Sequence, residues 1–413
     1  MDKLINIFKE YTHIFLLILV IEYTFKSILC IRESIIHRII NKKIILYIVI
    51  AAGILIMTKY EISISDKIQL SKHTYDHDSM EQYDDIVTKY MKDNKLPGIA
   101  VGIIDTNGSH IITHGMASKE NEVTQDTLFE IGSISKAYTG IILADFIEKG
   151  EVQLSDNIEL HGKQIEGVTL ESLITHTSGL PRIPTNIGFK INTIITSLTG
   201  GNPYSNMNDL TLINFLETYK VYPEKEWNYS NIGVGLLGVY LEQESNSTYD
   251  EILGNVITDP LNMTNTTIES VEGLATGYRK YIRLNKMSIA SKAKPWDTNG
   301  GIAAMGGIRS SVKDMVRFLD ASILDETPSI QLSKKELYEI DEHTSMAMGW
   351  IISKKRIEDN DIIWHNGGTG GFSSHLAIVE GLPVGVVILT NKADVDLRQL
   401  ADKIMEISIL KTE

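Results

Sequence analysis

Residues 128–140 read LFEIGSISKAYTG, and this stretch decides the fold because it sets two reactive side chains at the start of an apolar helix. From Ala137 onward apolar residues recur at helical spacing, and Gly150 follows at a position typical of a helix end. Ser133 and Lys136 are three residues apart, so a helix places both on one face. A lysine can activate a serine hydroxyl only if burial or a nearby cation lowers its pKa from about 10.4. The stretch therefore predicts a nucleophilic serine with a lysine base.

The same four-residue pattern occurs at 291–294, where it reads SKAK. That copy lies in a polar segment that ends at Pro295, and no apolar helix follows it. We interpret it as a chance match on a solvated loop. The pattern alone is thus weak evidence, and the prediction depends on what else the chain carries.

The composition is that of a globular protein. Of its 413 residues, 43% are hydrophobic and 22% are charged, which suffices for a large core in one domain or two closely packed lobes. The formal net charge of −14 argues against nucleic acid as a ligand. The single Cys30 cannot form an intramolecular disulfide. We predict no metal and no cofactor, because His110, His114 and His375 lack ligand spacing.

Two apolar segments, 14–31 and 44–58, open the chain. Each is slightly shorter than the ~20 residues that span a bilayer. The connector between them carries four Lys or Arg and one Glu, which by the positive-inside bias predicts that it is cytoplasmic. We therefore predict a membrane anchor at 1–60 with two transmembrane helices, a tether at 61–78, and a catalytic domain at 79–413. The predicted location is the cell membrane, with the catalytic domain extracytoplasmic; the alternative is one anchor with the first segment at the interface.

The remainder has strand patterns near both ends and helical patterns between them. An Asn107-Gly108 hairpin signal separates two early apolar runs, and an amphipathic helix around Leu400 ends the chain. The strand-like runs are 99–104, 109–115, 348–353, 361–365, 372–379 and 384–390. These patterns predict an α+β fold with one antiparallel sheet built from both ends of the domain, flanked by helices, and a mostly helical lobe inserted from about 181 to 295.

Two further motifs carry candidate site residues. Tyr229 and Asn231 are two apart before an apolar helical run, so both side chains can face one cleft. A phenol beside an ammonium can lose its proton below its usual pKa of about 10 and relay protons. Asn231 offers a donor and an acceptor to a substrate amide. Taken alone, a tyrosine and an asparagine in a polar loop are the commoner explanation.

Residues 364–372 read WHNGGTGGF, and their glycines leave backbone N–H groups open to a substrate that lies along a strand. His365 could carry a proton or bind a carboxylate. A glycine-rich hairpin with a structural histidine explains the motif equally well. We interpret His176 as a structural residue that hydrogen-bonds its own turn.

Taken together, Ser-x-x-Lys at 133, Tyr-x-Asn at 229 and the third triad at 365 resemble the serine β-lactamase and penicillin-binding protein superfamily in order and context. From about residue 80 to 410, the chain is similar to class C β-lactamase-related serine hydrolases. Further matching stretches are LITHTSGLP at 173–181, DPLNM at 259–263, GGI at 300–302, MGW at 348–350 and LTN at 389–391.

The resemblance implies a β-lactamase/transpeptidase-like fold and an acyl-enzyme at Ser133. It implies Lys136 as the proton acceptor, Tyr229 as base and proton shuttle, and Asn231 as a substrate contact. It also implies an oxyanion hole formed by the amides of Ser133 and Gly368. Where β-lactamases have Lys-Thr-Gly, this chain has His365-Asn366-Gly367, as in family members that act as peptidases or esterases.

We therefore predict a serine acyl hydrolase, with peptidase or carboxypeptidase activity on D-amino-acid-containing, cell-wall-like peptides as the leading function. An esterase comes next and a β-lactamase third, because a neutral imidazole holds a carboxylate less firmly than an ammonium does. A non-catalytic, penicillin-binding-like sensor is the alternative from another class, and a third interpretation places the function in the apolar N-terminal segments.

Overall fold

The computed structural model of the chain describes residues 79–219, 226–279, 282–284, 287–289, 292–298, 300–324 and 327–410. The predicted anchor and tether, and Ser291 of the second Ser-x-x-Lys pattern, lie outside these residues. The prediction of a location in the cell membrane is contradicted: among the helices of the described ranges, none has both the length and the apolar character to cross a bilayer.

The strands of the described residues are numbered in chain order. They are β1 (Gly98–Asp105), β2 (Gly108–Gly115), β3 (Leu128–Glu130), β4 (Asn157–Leu160), β5 (Lys163–Thr169), β6 (Ile282–Leu284), β7 (Met287–Ile289), β8 (Arg309–Ser311), β9 (Tyr338–Asp341), β10 (Thr344–Met346), β11 (Ile351–Ile357), β12 (Asn360–Gly368), β13 (Ser373–Val379) and β14 (Gly385–Thr390).

The α-helices lie between and around these strands. They are α1 (Ser79–Asn94), α2 (Ser135–Glu148), α3 (Leu170–Ile174), α4 (Ile187–Thr199), α5 (Asp209–Thr218), α6 (Asn231–Ser245), α7 (Tyr249–Leu253), α8 (Val312–Leu324), α9 (Pro328–Ser333) and α10 (Arg398–Ile409). There are two 3₁₀ turns among the described residues, Gly132–Ile134 and Gly300–Met305. The first contains Ser133, and the second ends at Met305, whose carbonyl contacts Lys136.

One eight-stranded sheet organises the domain, in the order β2-β1-β14-β13-β12-β11-β10-β9. β1 pairs antiparallel with β14, with Ile99 opposite Thr390, so strands from both ends of the domain are neighbours in the sheet. Helices α3 to α7 belong to the segment between β2 and β9. The predicted α+β class, with a sheet built from both ends and an inserted helical lobe, is confirmed.

The sheet has a different core on each face because side chains alternate along a strand. Ile99, Val101 and Ile103 of β1 point to the side that α1 and α10 cover. Ala100 and Ile104 point to the other side, where the apolar residues of α2, α6 and α8 form the larger core. The nucleophile helix α2 therefore lies on the face opposite to α1 and α10.

Some elements differ from the sequence-based prediction. Residues 168–175 are predicted to be helical, but β5 continues to Thr169 and α3 begins only at Leu170. The reason is a capping box, in which the side chain of Thr169 accepts a hydrogen bond from the N–H of Ser172. Helix α8 is not predicted at all, although its apolar stripe packs on strands β1 and β14.

We expect Tyr83→Phe to lower the free energy of unfolding by about 1–2 kcal/mol, because the lost hydroxyl leaves a buried carboxylate with one donor fewer. The Tyr83 hydroxyl donates to Asp105 at 2.9 Å and lies 2.7 Å from Oγ of Ser408, which joins α1, β1 and α10. Urea unfolding followed by tryptophan fluorescence measures the change. Tyr90→Phe is the matched control, since its hydroxyl donates to a carbonyl at an exposed position. Equal losses in both variants would contradict the argument.

Candidate active site

Ser133 and Lys136 are adjacent in space, as their spacing predicts. Ser133 lies in the 3₁₀ turn that leads into α2, and its side chain is half-buried. The Nζ atom of Lys136 lies 3.0 Å from Oγ of Ser133 and also donates to the main-chain carbonyl of Met305. Lys136 is 0% exposed. The nucleophile and its amine thus form one hydrogen-bonded pair at the base of a cleft.

The surroundings of Lys136 favour the neutral amine. Burial, and secondarily the positive charge of Arg182, lower its pKa well below the ordinary value of 10.5. Among the described residues, no carboxylate pairs with this amine to oppose the shift. A neutral amine has a lone pair, so it can accept the proton of the Ser133 hydroxyl.

Tyr229 joins this pair from a distant part of the chain. It precedes α6, whose N-cap is Ser230, and its hydroxyl is close enough to Ser133 for that side chain to lower the pKa of the phenol. The Lys136 Nζ atom lies 5.1 Å from the centroid of the Tyr229 ring. An alcohol, an amine and a phenol from two separate segments therefore meet at one point of the cleft.

The expected ionisation of Tyr229 is wrong. Burial raises the pKa of the phenol to about 12, although the nearby Ser133 side chain and the charge of Arg182 lower it in part. The prediction assumed an ammonium beside the phenol, whereas the buried Lys136 is driven toward the neutral amine. Tyr229 is accordingly a protonated phenol at neutral pH and can donate a proton.

Asn231 lines a small cavity of about 40 Å³ that reaches Ser133. Its Nδ2 donates to the Tyr204 hydroxyl at 3.0 Å, so one donor is occupied by the protein. Within the described ranges, its buried Oδ1 has no hydrogen-bond partner, and neither has Nε1 of Trp296 on the cavity wall. The cavity thus presents one free acceptor and one free donor, which suits a substrate amide.

The glycines of the third motif allow main chain to touch main chain. A Cβ atom on Gly367 would lie 1.9 Å from the carbonyl oxygen of Ile131. Gly132 has a φ of +52°, and a Cβ there would lie 2.7 Å from the amide nitrogen of Gly368. The Gly368 amide is therefore next to the turn that carries Ser133, where an oxyanion donor is needed.

His365 lies inside the site and is deeply buried. It is 1% exposed, its Nδ1 lies 2.6 Å from the carbonyl oxygen of Asn366, and its Nε2 has no partner. Burial, with the neighbouring Lys136, lowers its pKa to about 3, so the ring is neutral at neutral pH. Its ring centroid is 6.4 Å from that of Tyr229. Because a carbonyl oxygen can only accept, Nδ1 of the neutral ring donates its proton to Asn366, and Nε2 is left as an acceptor beside the phenol.

His176 is structural, but it does not simply hydrogen-bond its own turn. Its Nδ1 accepts a hydrogen bond from the backbone N–H of Ser230 at 3.3 Å, and its ring lies 4.4 Å from the Tyr229 ring. The Asn228 N–H donates to its carbonyl at 2.8 Å. His176 therefore fixes the segment that carries the phenol.

Sequence reasoning missed Arg182, Tyr204, Glu130 and Trp296. Trp296 follows the segment interpreted as a solvated loop, yet it lies against the cavity. Its backbone N–H donates to the buried carboxylate of Glu130 at 2.6 Å. The other Glu130 oxygen accepts from Thr369 of the third motif at 2.5 Å. A tryptophan after a polar stretch was the available signal, but Glu130 lies 166 residues away in the chain.

Comparisons with known proteins agree with this geometry. A protein-family model described as Beta-lactamase matches residues 83–408, which include every residue of the site. A beta-lactamase of Escherichia coli (strain K12) is 26% identical over 367 residues, which cover 76% of this chain and 89% of that protein. Protein flp of Staphylococcus aureus (strain N315) is 24% identical over 339 residues, which cover 76% of this chain and 64% of flp.

A solved structure shows the same fold. The octameric penicillin-binding protein homologue from Pyrococcus abyssi superposes with a TM-score of 0.65 at 22% identity and covers 81% of this chain and 77% of its own. The predicted β-lactamase/transpeptidase-like architecture is confirmed.

We expect Lys136→Met to abolish acylation and also to raise the free energy of unfolding at pH 7 by about 1–3 kcal/mol, because a buried amine that must shed its proton destabilises the fold. The folded pKa is below the unfolded one, so the wild type gains stability as pH rises toward 10.5. In the variant this gain should vanish. Urea unfolding of both proteins from pH 7 to 10 measures how the free energy of unfolding changes with pH. If the variant kept the wild-type slope, a buried neutral amine would be contradicted.

We expect His365→Asn to reduce the slope with which the free energy of unfolding falls as the pH is lowered. The folded pKa of about 3 is below the usual 6.5, so between these values the unfolded chain holds the extra proton and stability falls as pH falls. Removing one such group should reduce the slope by up to about 1.4 kcal/mol per pH unit. His343→Asn, at an exposed position, is the control and should leave the slope unchanged. A slope that is equal in both variants would refute a buried neutral His365.

Proposed function

Because the chain belongs to the beta-lactamase family and is thus a beta-lactamase-related serine hydrolase, we propose that it forms an acyl-enzyme at Ser133 and transfers the acyl group to water. One observation carries this proposal: the 3.0 Å contact between Oγ of Ser133 and an amine that is buried without a carboxylate partner among the described residues. A lysine kept for structure alone would be expected to pair its charge.

The chemistry follows from these protonation states. Oγ of Ser133 attacks the substrate carbonyl carbon and its proton passes to Lys136, so the carbonyl oxygen becomes an oxyanion beside the amides of Ser133 and Gly368. The bond to the leaving group then breaks. The Tyr229 hydroxyl gives that group its proton and recovers one from the Lys136 ammonium. Water attacks the ester by the same route, and Ser133 leaves with the returned proton.

Peptides that contain D-amino acids are the leading substrate class. Beyond Trp364, β12 pairs with β13 alone, because the pairing with β11 ends where Ile351 is opposite Trp364. An extended peptide can follow this open edge. The free Oδ1 of Asn231 can accept a peptide N–H.

The alternatives use the same machinery. A small ester needs only Ser133, Lys136 and the oxyanion donors. A β-lactam is favoured by the similarity to the beta-lactamase of Escherichia coli, but the neutral His365 offers its carboxylate no charge. A non-catalytic, penicillin-binding-like sensor has no need of a buried neutral amine.

We expect Ser133→Ala to abolish labelling by a fluorophosphonate probe, because the probe phosphonylates an activated serine. Ser205→Ala, at an exposed position, is the matched control and should label like the wild type. Equal labelling of Ser133→Ala, or none of the wild type, would favour the non-catalytic binder. Fluorescent penicillin with mass spectrometry then separates the enzymes: a stable Ser133 adduct indicates a penicillin-binding enzyme, rapid turnover a β-lactamase, and no adduct an esterase or specialised peptidase.

A further inference from the structure

Arg182 is a cation at the edge of the cleft that the mechanism leaves unused. Its Cζ atom lies 5.2 Å from the centroid of the Tyr229 ring, and its side chain is exposed. In the part of the chain that the structure describes, no carboxylate forms an ion pair with it. An unpaired guanidinium is notable in a chain of net charge −14.

The main chain fixes where this cation stands. The backbone N–H of Asn231 donates to the carbonyl of Arg182 at 3.1 Å. The Ser230 hydroxyl donates to the carbonyl of Pro181 at 2.9 Å. The base of the Arg182 side chain is therefore bound to the residues on the C-terminal side of Tyr229, and the aromatic ring supports the guanidinium by a cation–π contact.

The other basic side chains beside the nucleophile do not supply a positive charge. Lys136 is driven toward its neutral form and His365 is neutral at neutral pH. An arginine remains charged, and its planar fork can donate two parallel hydrogen bonds to one carboxylate. A substrate carboxylate that enters on this side of the cleft thus meets Arg182.

We propose that Arg182 binds a substrate carboxylate on the Tyr229 side of Ser133 and so selects anionic acyl compounds, such as peptides with a free C-terminal carboxylate. This inference rests on the proposed function and names the substrate class of the same site. Arg182 is here a specificity residue. A purely electrostatic effect on the Lys136 amine is the competing explanation, and it would act on neutral and anionic compounds alike.

Boronic acids test the proposal, because their boron bonds reversibly to an activated serine oxygen. The pairs to compare are phenylboronic acid with its 3-carboxy and 4-carboxy derivatives, each titrated against the full chain by calorimetry at low salt. We expect at least one carboxylated compound to bind wild type about three- to tenfold more tightly than phenylboronic acid, and the preference to shrink as salt is added.

Three variants test whether Arg182 causes the preference for the carboxylated compounds. R182Q should abolish it, R182K should keep part of it, and Lys92→Gln on α1, across the sheet from the cleft, should leave it as in the wild type. A preference that persists in R182Q, or none in the wild type, overturns the role of Arg182 while the proposed function stands. If no boronate binds the wild type more tightly than Ser133→Ala, the proposed function fails and this inference fails with it.

Discussion

The buried amine of Lys136 is the constraint on which the rest of the site depends. Water is excluded from it, its one main-chain acceptor is the Met305 carbonyl, and no acid among the described residues supplies a counter-charge. An ammonium is therefore costly there, which leaves a lone pair facing Oγ of Ser133. The same exclusion of water keeps the Tyr229 phenol protonated. Burial is the largest cause of both pKa shifts, and it makes one group a proton acceptor and the other a proton donor.

Close main-chain contacts and buried side-chain hydrogen bonds together hold this arrangement. The end of β12 lies directly on the turn that carries the nucleophile, and the Ser374 hydroxyl donates to the Ile131 carbonyl at 2.7 Å. The glycines at 132 and 367 make that approach possible. The buried Glu130 carboxylate accepts hydrogen bonds from the Thr369 hydroxyl and from the backbone N–H of Trp296, and so joins these two segments. The register of one strand therefore sets the position of the oxyanion donors.

The sequence predicts those features that depend on local geometry. The spacing of Ser133 and Lys136 determines their common face, and the apolar runs near both ends of the domain predict the strands of one sheet. Protonation states are not local, because the burial of Tyr229 and His365 arises from segments far apart in the chain. Arg182 and Trp296 are missed for the same reason. Neither belongs to a periodic pattern, and only the folded loops bring them to the cleft.

The two-sided sheet has a further consequence for handling the domain. Helices α1 and α10, the first and last described helices, lie side by side and meet through Tyr83 and Ser408, on the face away from the nucleophile. A short peptide joining these helices would let the chain be circularly permuted, with new ends opened in the inserted lobe. Tethering the domain to a solid support through either of these helices would likewise leave the entrance to the cleft unobstructed.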